Sequence, residues 1–298
     1  MKVVYSHRYA IEIGEHVFPT RKYPLVHDVL LESGVVHPAE VVEPETASWE
    51  ALSLVHTPTY LGKIRNGELS PIDIARLEIP WSEAIAEGFR LMSGGTLVAS
   101  RLALEDGVAA HIGGGFHHAF AGHGEGFCMF NDVAVAIRVL QREGPVKRAA
   151  VVDCDVHHGN GTAAIFSNDS AVFTFSMHQE HNYPAEKPQS TLDIGLADET
   201  RDDEYLALLS DALPRVMQHR PDVIWYLAGA DPFAGDQLGG LALSRAGLRR
   251  RDQLVLAAGR QAGCPVVVVL AGGYARRVQD TVAIHVATLA EAARVHNQ

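Results

Sequence analysis

Asp153-Cys154-Asp155-Val156-His157-His158-Gly159-Asn160-Gly161 follows directly on the apolar run Ala149-Ala150-Val151-Val152. An unbroken run of small and β-branched residues that ends in carboxylates and imidazoles reads as a buried parallel strand delivering polar groups at its carboxyl end. Continued strand alternation would place Asp153, Asp155 and His157 on one side and Cys154 and Val156 on the other. Carboxylates and imidazole converging there suit a borderline divalent cation, zinc (Zn2+) or, in the same geometry, iron(II) (Fe2+). An isolated pair of aspartates would be explained as well by a helix cap or an ion-pair network. A further apolar run ending in Ala228-Gly229-Ala230-Asp231 adds another carboxylate and favours the metal. Two aspartates and one histidine leave a coordination position open, as hydrolytic sites require.

Outward from this segment the pattern repeats. Short β-branched runs at residues 3–5, 108–112, 149–153, 171–175, 223–227 and 266–270 read as buried strands. Residues 81–105, 131–143, 202–219, 244–262 and 277–295 carry apolar side chains at helical spacing and are long enough for crossover helices. The alternation predicts an α/β fold, a doubly wound parallel sheet flanked by helices, in a single domain over residues 1–298. Ligands of such sheets bind beyond the carboxyl ends of the strands. Polar or glycine-rich segments at residues 111–118, 153–160, 229–240 and 271–274 all follow predicted strands.

Two of these segments add proton-transfer groups. Gly113-Gly114-Gly115 lets the backbone turn sharply after a strand, and His117-His118 can then present two imidazoles to a polarised substrate. A lone histidine is more often a satisfied core residue. In Leu270-Ala271-Gly272-Gly273-Tyr274 the glycines expose a tyrosine whose hydroxyl can donate to a developing oxyanion. His7, His27, His37, His219 and His285 lie beside no glycine-rich strand end and read as surface or packing residues. His56 and His123 fall between the two readings.

Composition narrows the partners. The chain has 298 residues, 47% of them hydrophobic, ample for one large core. Its 36 acidic against 25 basic residues give a net charge of -11, which argues against nucleic acid and suits a cationic substrate. Arg249-Arg250-Arg251 reads as the solvated face of a helix. No apolar stretch approaches the roughly 20 residues of a membrane span, and no signal-peptide core follows Met1, so a cytoplasmic protein without membrane contact is expected. Cys128, Cys154 and Cys264 lack the spacing of a zinc ribbon or a disulfide framework.

Together these segments resemble the zinc-dependent histone deacetylase family, which includes acetylpolyamine amidohydrolases and acetoin-utilisation proteins on an arginase-like α/β fold. The resemblance also runs through Val4-Tyr5-Ser6, Val55-His56-Thr57-Pro58-Thr59-Tyr60-Leu61, Gly126-Phe127-Cys128-Met129-Phe130-Asn131-Asp132 and Phe175-Ser176-Met177-His178. The opening Val4-Tyr5-Ser6-His7-Arg8-Tyr9 looks most like the compact class IV branch and its bacterial relatives.

The resemblance implies that Asp155, His157 and Asp231 bind the catalytic metal. It places His117 and His118 on the tandem active-site histidines, Asp153 on the carboxylate supporting the first, and Tyr274 on the carbonyl-polarising tyrosine. Asn160 stands where the best-studied class I enzymes carry a second aspartate, a position at which asparagine is common in other classes. Asp153, Asp155, His157, Ser176 and Met177 match a structural monovalent-cation site, usually potassium (K+). Gly126, Phe127, Tyr183 and Leu238 match the lining of an acyl-lysine tunnel. In the implied reaction His118 is the general base, while His117, beside anionic Asp153, acts mainly electrostatically. The expected substrate is an acyl-lysine peptide or protein, or a small acylated amine. An acetylpolyamine amidohydrolase is the alternative from the same chemistry, and a non-catalytic acyl-group binder is disfavoured by Tyr274 and both histidines. No oligomeric state is specified.

Overall fold

In the computed structural model, which describes residues 1–297, the strands are β1 (Val3–Val4), β2 (Val41–Val42), β3 (Val108–His111), β4 (Ala149–Asp153), β5 (Val172–Gln179), β6 (Leu192–Leu196), β7 (Val223–Leu227) and β8 (Val266–Val269). Gln298, the last residue of the expected 1–298 unit, lies outside the described residues. The strands form one eight-stranded sheet in the order β2-β1-β3-β8-β7-β4-β5-β6. Every pairing in it is parallel. Each residue of β3, β4, β7 and β8 is buried, so the central strands are covered on both faces, as their unbroken apolar runs require.

The helices are α1 (Lys22–Glu32), α2 (Trp49–Leu52), α3 (Pro58–Asn66), α4 (Pro71–Leu77), α5 (Glu83–Asp106), α6 (Asp132–Glu143), α7 (Asn160–Phe166), α8 (Asp202–Gln218), α9 (Arg245–Gln261) and α10 (Val278–His296). One row runs α5-α6-α7 and another α1-α10-α9-α8, each helix packing on the next. No helix among the described residues is long and apolar enough to cross a membrane.

All six predicted strands and five predicted helices are present. Strands β2 and β6 and helices α1 to α4 and α7 come in addition. β2 has only two residues, and β6 is an edge strand with an exposed middle, so neither has the continuous apolar signature of the centre. The solvated-face reading of the triple arginine fails at Arg251, which is fully buried.

From β4 the chain moves outward to β5, whereas from β7 it moves the other way to β8. Strands β4 and β7 are neighbours, so the crevice at their carboxyl ends is a topological switch point. Asp155 leaves one of these strands and Asp231 the other.

Candidate active site

Strand β4 ends at Asp153, so Asp155 and His157 stand on a loop and not on a continued strand. Backbone-to-carboxylate bonds two residues apart replace the expected alternation. Asp155 N–H donates to Asp153 Oδ1 at 3.1 Å, and His157 N–H donates to Asp155 Oδ1 at 3.0 Å. Short acidic side chains fold the chain back on themselves in this way, and each turn throws the next side chain into the crevice.

Asp155, His157 and Asp231 are all buried, and their ligand atoms lie within 4.8 Å of one another. His157 Nδ1 is 3.0 Å from Asp155 Oδ1 and 3.5 Å from Asp231 Oδ2. Asp231 Oδ1 accepts from the Val156 N–H at 3.0 Å, but its Oδ2 is buried without any hydrogen-bond partner. Burial and then the Asp155 charge raise the Asp231 pKa to about 7. Burial would lower the His157 pKa, but Asp155 and Asp231 raise it to about 10, so the pair of carboxylates draws positive charge to this point. Two carboxylates, one imidazole and an orphaned carboxylate oxygen fit a divalent cation. Gly272 belongs to the same cradle. Its N–H donates to Asp155 Oδ2 at 2.7 Å, and a Cβ there would strike Asp231 Oδ2.

The tandem histidines are aimed by the glycine turn and by Asp132 at the start of α6. The Asp132 carboxylate accepts from the N–H groups of Gly115 at 3.0 Å and Phe116 at 2.8 Å, while Gly114 and Gly115 take positive φ of 71° and 83°. His117 Nδ1 lies 2.7 Å from Asp153 Oδ2, and its Nε2 lies 3.1 Å from His118 Nε2. His118 Nδ1 lies 2.7 Å from Asn160 Oδ1. Burial would lower the His117 pKa, yet Asp153 and Asp155 prevail and raise it to about 9. Burial, reinforced by His117 and His157, holds the His118 pKa well below the ordinary imidazole value. At neutral pH the pair is therefore one imidazolium and one neutral imidazole.

A cavity of about 160 Å³ opens onto these groups. It is lined by the predicted Gly126, Phe127, Tyr183, Leu238 and Tyr274, together with His118 and His157. Phe127 takes a positive φ of 67°, which turns its ring into the wall, 6.0 Å from the Tyr274 ring centroid. Asn182 Nδ2 donates to the Leu238 carbonyl at 2.8 Å and ties two walls together. Of the expected monovalent-cation residues, Ser176 in the middle of β5 is paired in register with Asp153 at the end of β4, with Met177 next along β5.

Sequence reasoning missed Glu78 and Asn182 in the lining, Glu125 behind Asn160, and Lys22 beneath Tyr274. Lys22 is fully buried; its Nζ donates to the Ala271 carbonyl at 2.8 Å and lies 5.6 Å from the Tyr274 ring centroid. Burial lowers its pKa to about 8, with Asp231 and Asp155 opposing. Helical spacing held the signal, since Lys22 stands four residues before buried Val26. His56 is a satisfied core residue, with Nδ1 3.0 Å from the Phe120 carbonyl and Nε2 accepting from the Asn131 N–H at 3.1 Å.

Comparison with known proteins gives the family. The histone deacetylase domain matches residues 16–289, and the chain belongs to that family. It is 45% identical over 285 residues to an uncharacterised protein of Picosynechococcus, covering 95% of both chains. It is 31% identical over 301 residues to histone deacetylase 2 of Arabidopsis thaliana, covering 95% of this chain and 78% of the relative. In fold it is similar to a crystal structure of a histone deacetylase homologue complexed with SAHA, with a TM-score of 0.84 at 24% identity, over 98% of this chain and 84% of that one. Family membership supports a deacetylase of the amidohydrolase type.

Proposed function

We propose that this chain removes acetyl or longer acyl groups from lysine side chains, or from small lysine-like amines, with zinc held by Asp155, His157 and Asp231 and iron(II) as the alternative metal. The observation that carries the reading is the buried Asp231 Oδ2, without a hydrogen bond beside Asp155 and His157, at the foot of a group whose His157 lines an aromatic-walled cavity of about 160 Å³. A divalent cation bound there supplies Lewis-acid polarisation of the amide carbonyl and lowers the pKa of water.

The chain's own groups do the rest. Neutral His118 accepts a proton from the attacking water. His117, kept cationic by Asp153, holds positive charge beside the developing anion, and the Tyr274 hydroxyl donates to the oxyanion. Protonated His118 then gives its proton to the leaving amine. Phe127 and Tyr183 enclose the methylenes of the acyl-lysine and exclude water. We assign Asp153, Asp155, His157, Ser176 and Met177 to a structural potassium ion. Three buried free cysteines suit a reducing compartment, and we place the enzyme in the cytoplasm.

The test is purified, zinc-loaded protein assayed against lysine peptides bearing acetyl through long-chain acyl groups, with acetylated polyamines alongside. Hydrolysis that chelation abolishes and zinc restores is expected. Stoichiometric zinc with no turnover of any acylated amine would overturn the reading.

A further inference from the structure

Glu125 stands just before the tunnel-wall residues Gly126 and Phe127, and no step of the reaction above uses it. Its Oε1 accepts from Asn160 Nδ2 at 2.6 Å, and its Oε2 lies 3.3 Å from His123 Nε2. The Tyr183 side chain lies close enough to favour its ionised form. Burial opposes ionisation here, but the bonds from His123 and Asn160, with Tyr183 nearby, prevail and hold the carboxyl below its usual pKa. An ionised carboxylate only accepts. It therefore decides which end of the Asn160 amide faces it: the NH2 turns to Glu125, and the oxygen is left for His118 Nδ1.

The chain of roles continues inward. An amide oxygen only accepts, so His118 must carry its proton on Nδ1. Its Nε2 then keeps a lone pair, 3.1 Å from His117 Nε2. The same lone pair is the one a general base needs.

We propose that Glu125 is a positioning residue that acts through Asn160 to fix His118 as the Nδ1–H tautomer, leaving Nε2 free to accept a proton. The assignment of His118 as base rests on the function proposed above; the tautomer does not. In Glu125→Gln the new side chain can donate, so Asn160 can turn over and offer its NH2 to His118 Nδ1. That reversal favours the Nε2–H tautomer, with no lone pair towards the substrate.

Adding Asn160→Asp restores the order of donors and acceptors. The carboxylate introduced at position 160 accepts from both neighbours, and the amide introduced at position 125 donates to it. Asn160→Asp alone sets two carboxylates against each other at the present 2.6 Å contact. Each single substitution should therefore be harmful, and the double substitution should restore much of what each one loses.

The experiment uses the full chain loaded with zinc, its histidines labelled with nitrogen-15, and His118 assigned by a His118→Ala control. Nitrogen shifts should report Nδ1–H in the wild type, a shift towards Nε2–H in Glu125→Gln, and Nδ1–H again in the double variant. kcat should fall by about tenfold in Glu125→Gln, with KM changed less than about twofold, and should recover in the double variant. An unchanged tautomer in Glu125→Gln overturns the proposal, as does an equal loss of kcat in the single and double variants, which would mark a merely structural role. If the wild type hydrolyses no acylated amine, the proposed function fails, and the nitrogen shifts alone decide the role of Glu125.

Discussion

Two buried polar clusters lie on opposite sides of the same pair of loops, and they are built differently. On the inner side, the Arg251 guanidinium donates to the Gly229 carbonyl at 2.6 Å and reaches the Cys154 carbonyl at 3.4 Å. It also donates to Asp252 Oδ1 at 3.0 and 2.9 Å, and Asp252 accepts from the Tyr226 hydroxyl at 2.6 Å and from Thr288 Oγ1 at 2.7 Å. On the crevice side, one residue after Cys154 and two after Gly229, stand Asp155 and Asp231. Among the described residues, Asp231 Oδ2 is the one carboxylate oxygen buried with no hydrogen bond. A fully paired buried network holds a fold in one arrangement, whereas a buried carboxylate oxygen left without a hydrogen bond costs stability and persists where something binds it. The first cluster has the build of scaffold and the second that of the candidate metal site, although both rest on buried charge.

The sharpest way to break this contrast is to substitute one residue from each side. Asp231→Asn should lose stoichiometric zinc and at least about 1000-fold in turnover, because two ligands remain where three are needed. In chelator-treated protein the same variant should melt no lower than the wild type, since a neutral amide relieves the burial and the Asp155 repulsion that raise the Asp231 pKa. Metal analysis, turnover and thermal melting together check this, and full zinc occupancy in Asp231→Asn would sink the ligand assignment. Arg251→Met should do the reverse. It strands Asp252 and two loop carbonyls in the interior, so stability should fall by about 3–5 kcal/mol by denaturant titration. If Arg251→Met unfolds like the wild type, the paired network is not what holds the loops.

The same contrast explains what could be read from the sequence. The central strands were legible because both of their faces are buried and their runs are apolar up to His111 and Asp153 at the ends of β3 and β4; the candidate site was legible because Asp155, His157, Asp231, His117, His118 and Tyr274 follow those strand ends closely. What escaped reading reaches the site through long-range contacts. Lys22 arrives from α1, near the other end of the chain from the Ala271 carbonyl it binds. Arg251 looks like one of three solvated arginines until helical phase puts it inward with Leu248 and Val255. Glu125 has no strand, helix or spacing to mark it, and only its bond to Asn160 reveals it.

Within the site, Tyr274→Phe should retain zinc and fold normally yet lose about 100-fold in kcat, with KM changed less, because a single oxyanion donor supplies about 3 kcal/mol to the transition state. Wild-type turnover in this variant would reduce Tyr274 to a packing residue against Phe127 and Phe18.

The smallest effect expected tests the paired side of the comparison with a group that titrates. His56 is almost completely buried, and both of its nitrogens are bonded to the backbone as the neutral ring, holding the Phe120 carbonyl and the Asn131 N–H. Burial lowers its pKa from 6.5 to about 4, with the bond to the Phe120 carbonyl opposing. Below pH 6.5 the unfolded chain takes up a proton at this position, while the folded chain does not until near pH 4. Protons therefore favour unfolding across that window, and the contribution of His56 to stability is present above it and declines as the pH falls. His56→Gln keeps one donor and one acceptor but cannot titrate. Compared by urea titration at pH 7.5 and pH 5.5, the wild type should lose about 1.4 kcal/mol relative to His56→Gln, roughly a tenfold shift in the unfolding equilibrium. Parallel stability curves for the two proteins would show that His56 does not stay neutral in the fold, and that a fully bonded interior histidine is no protection against protonation here.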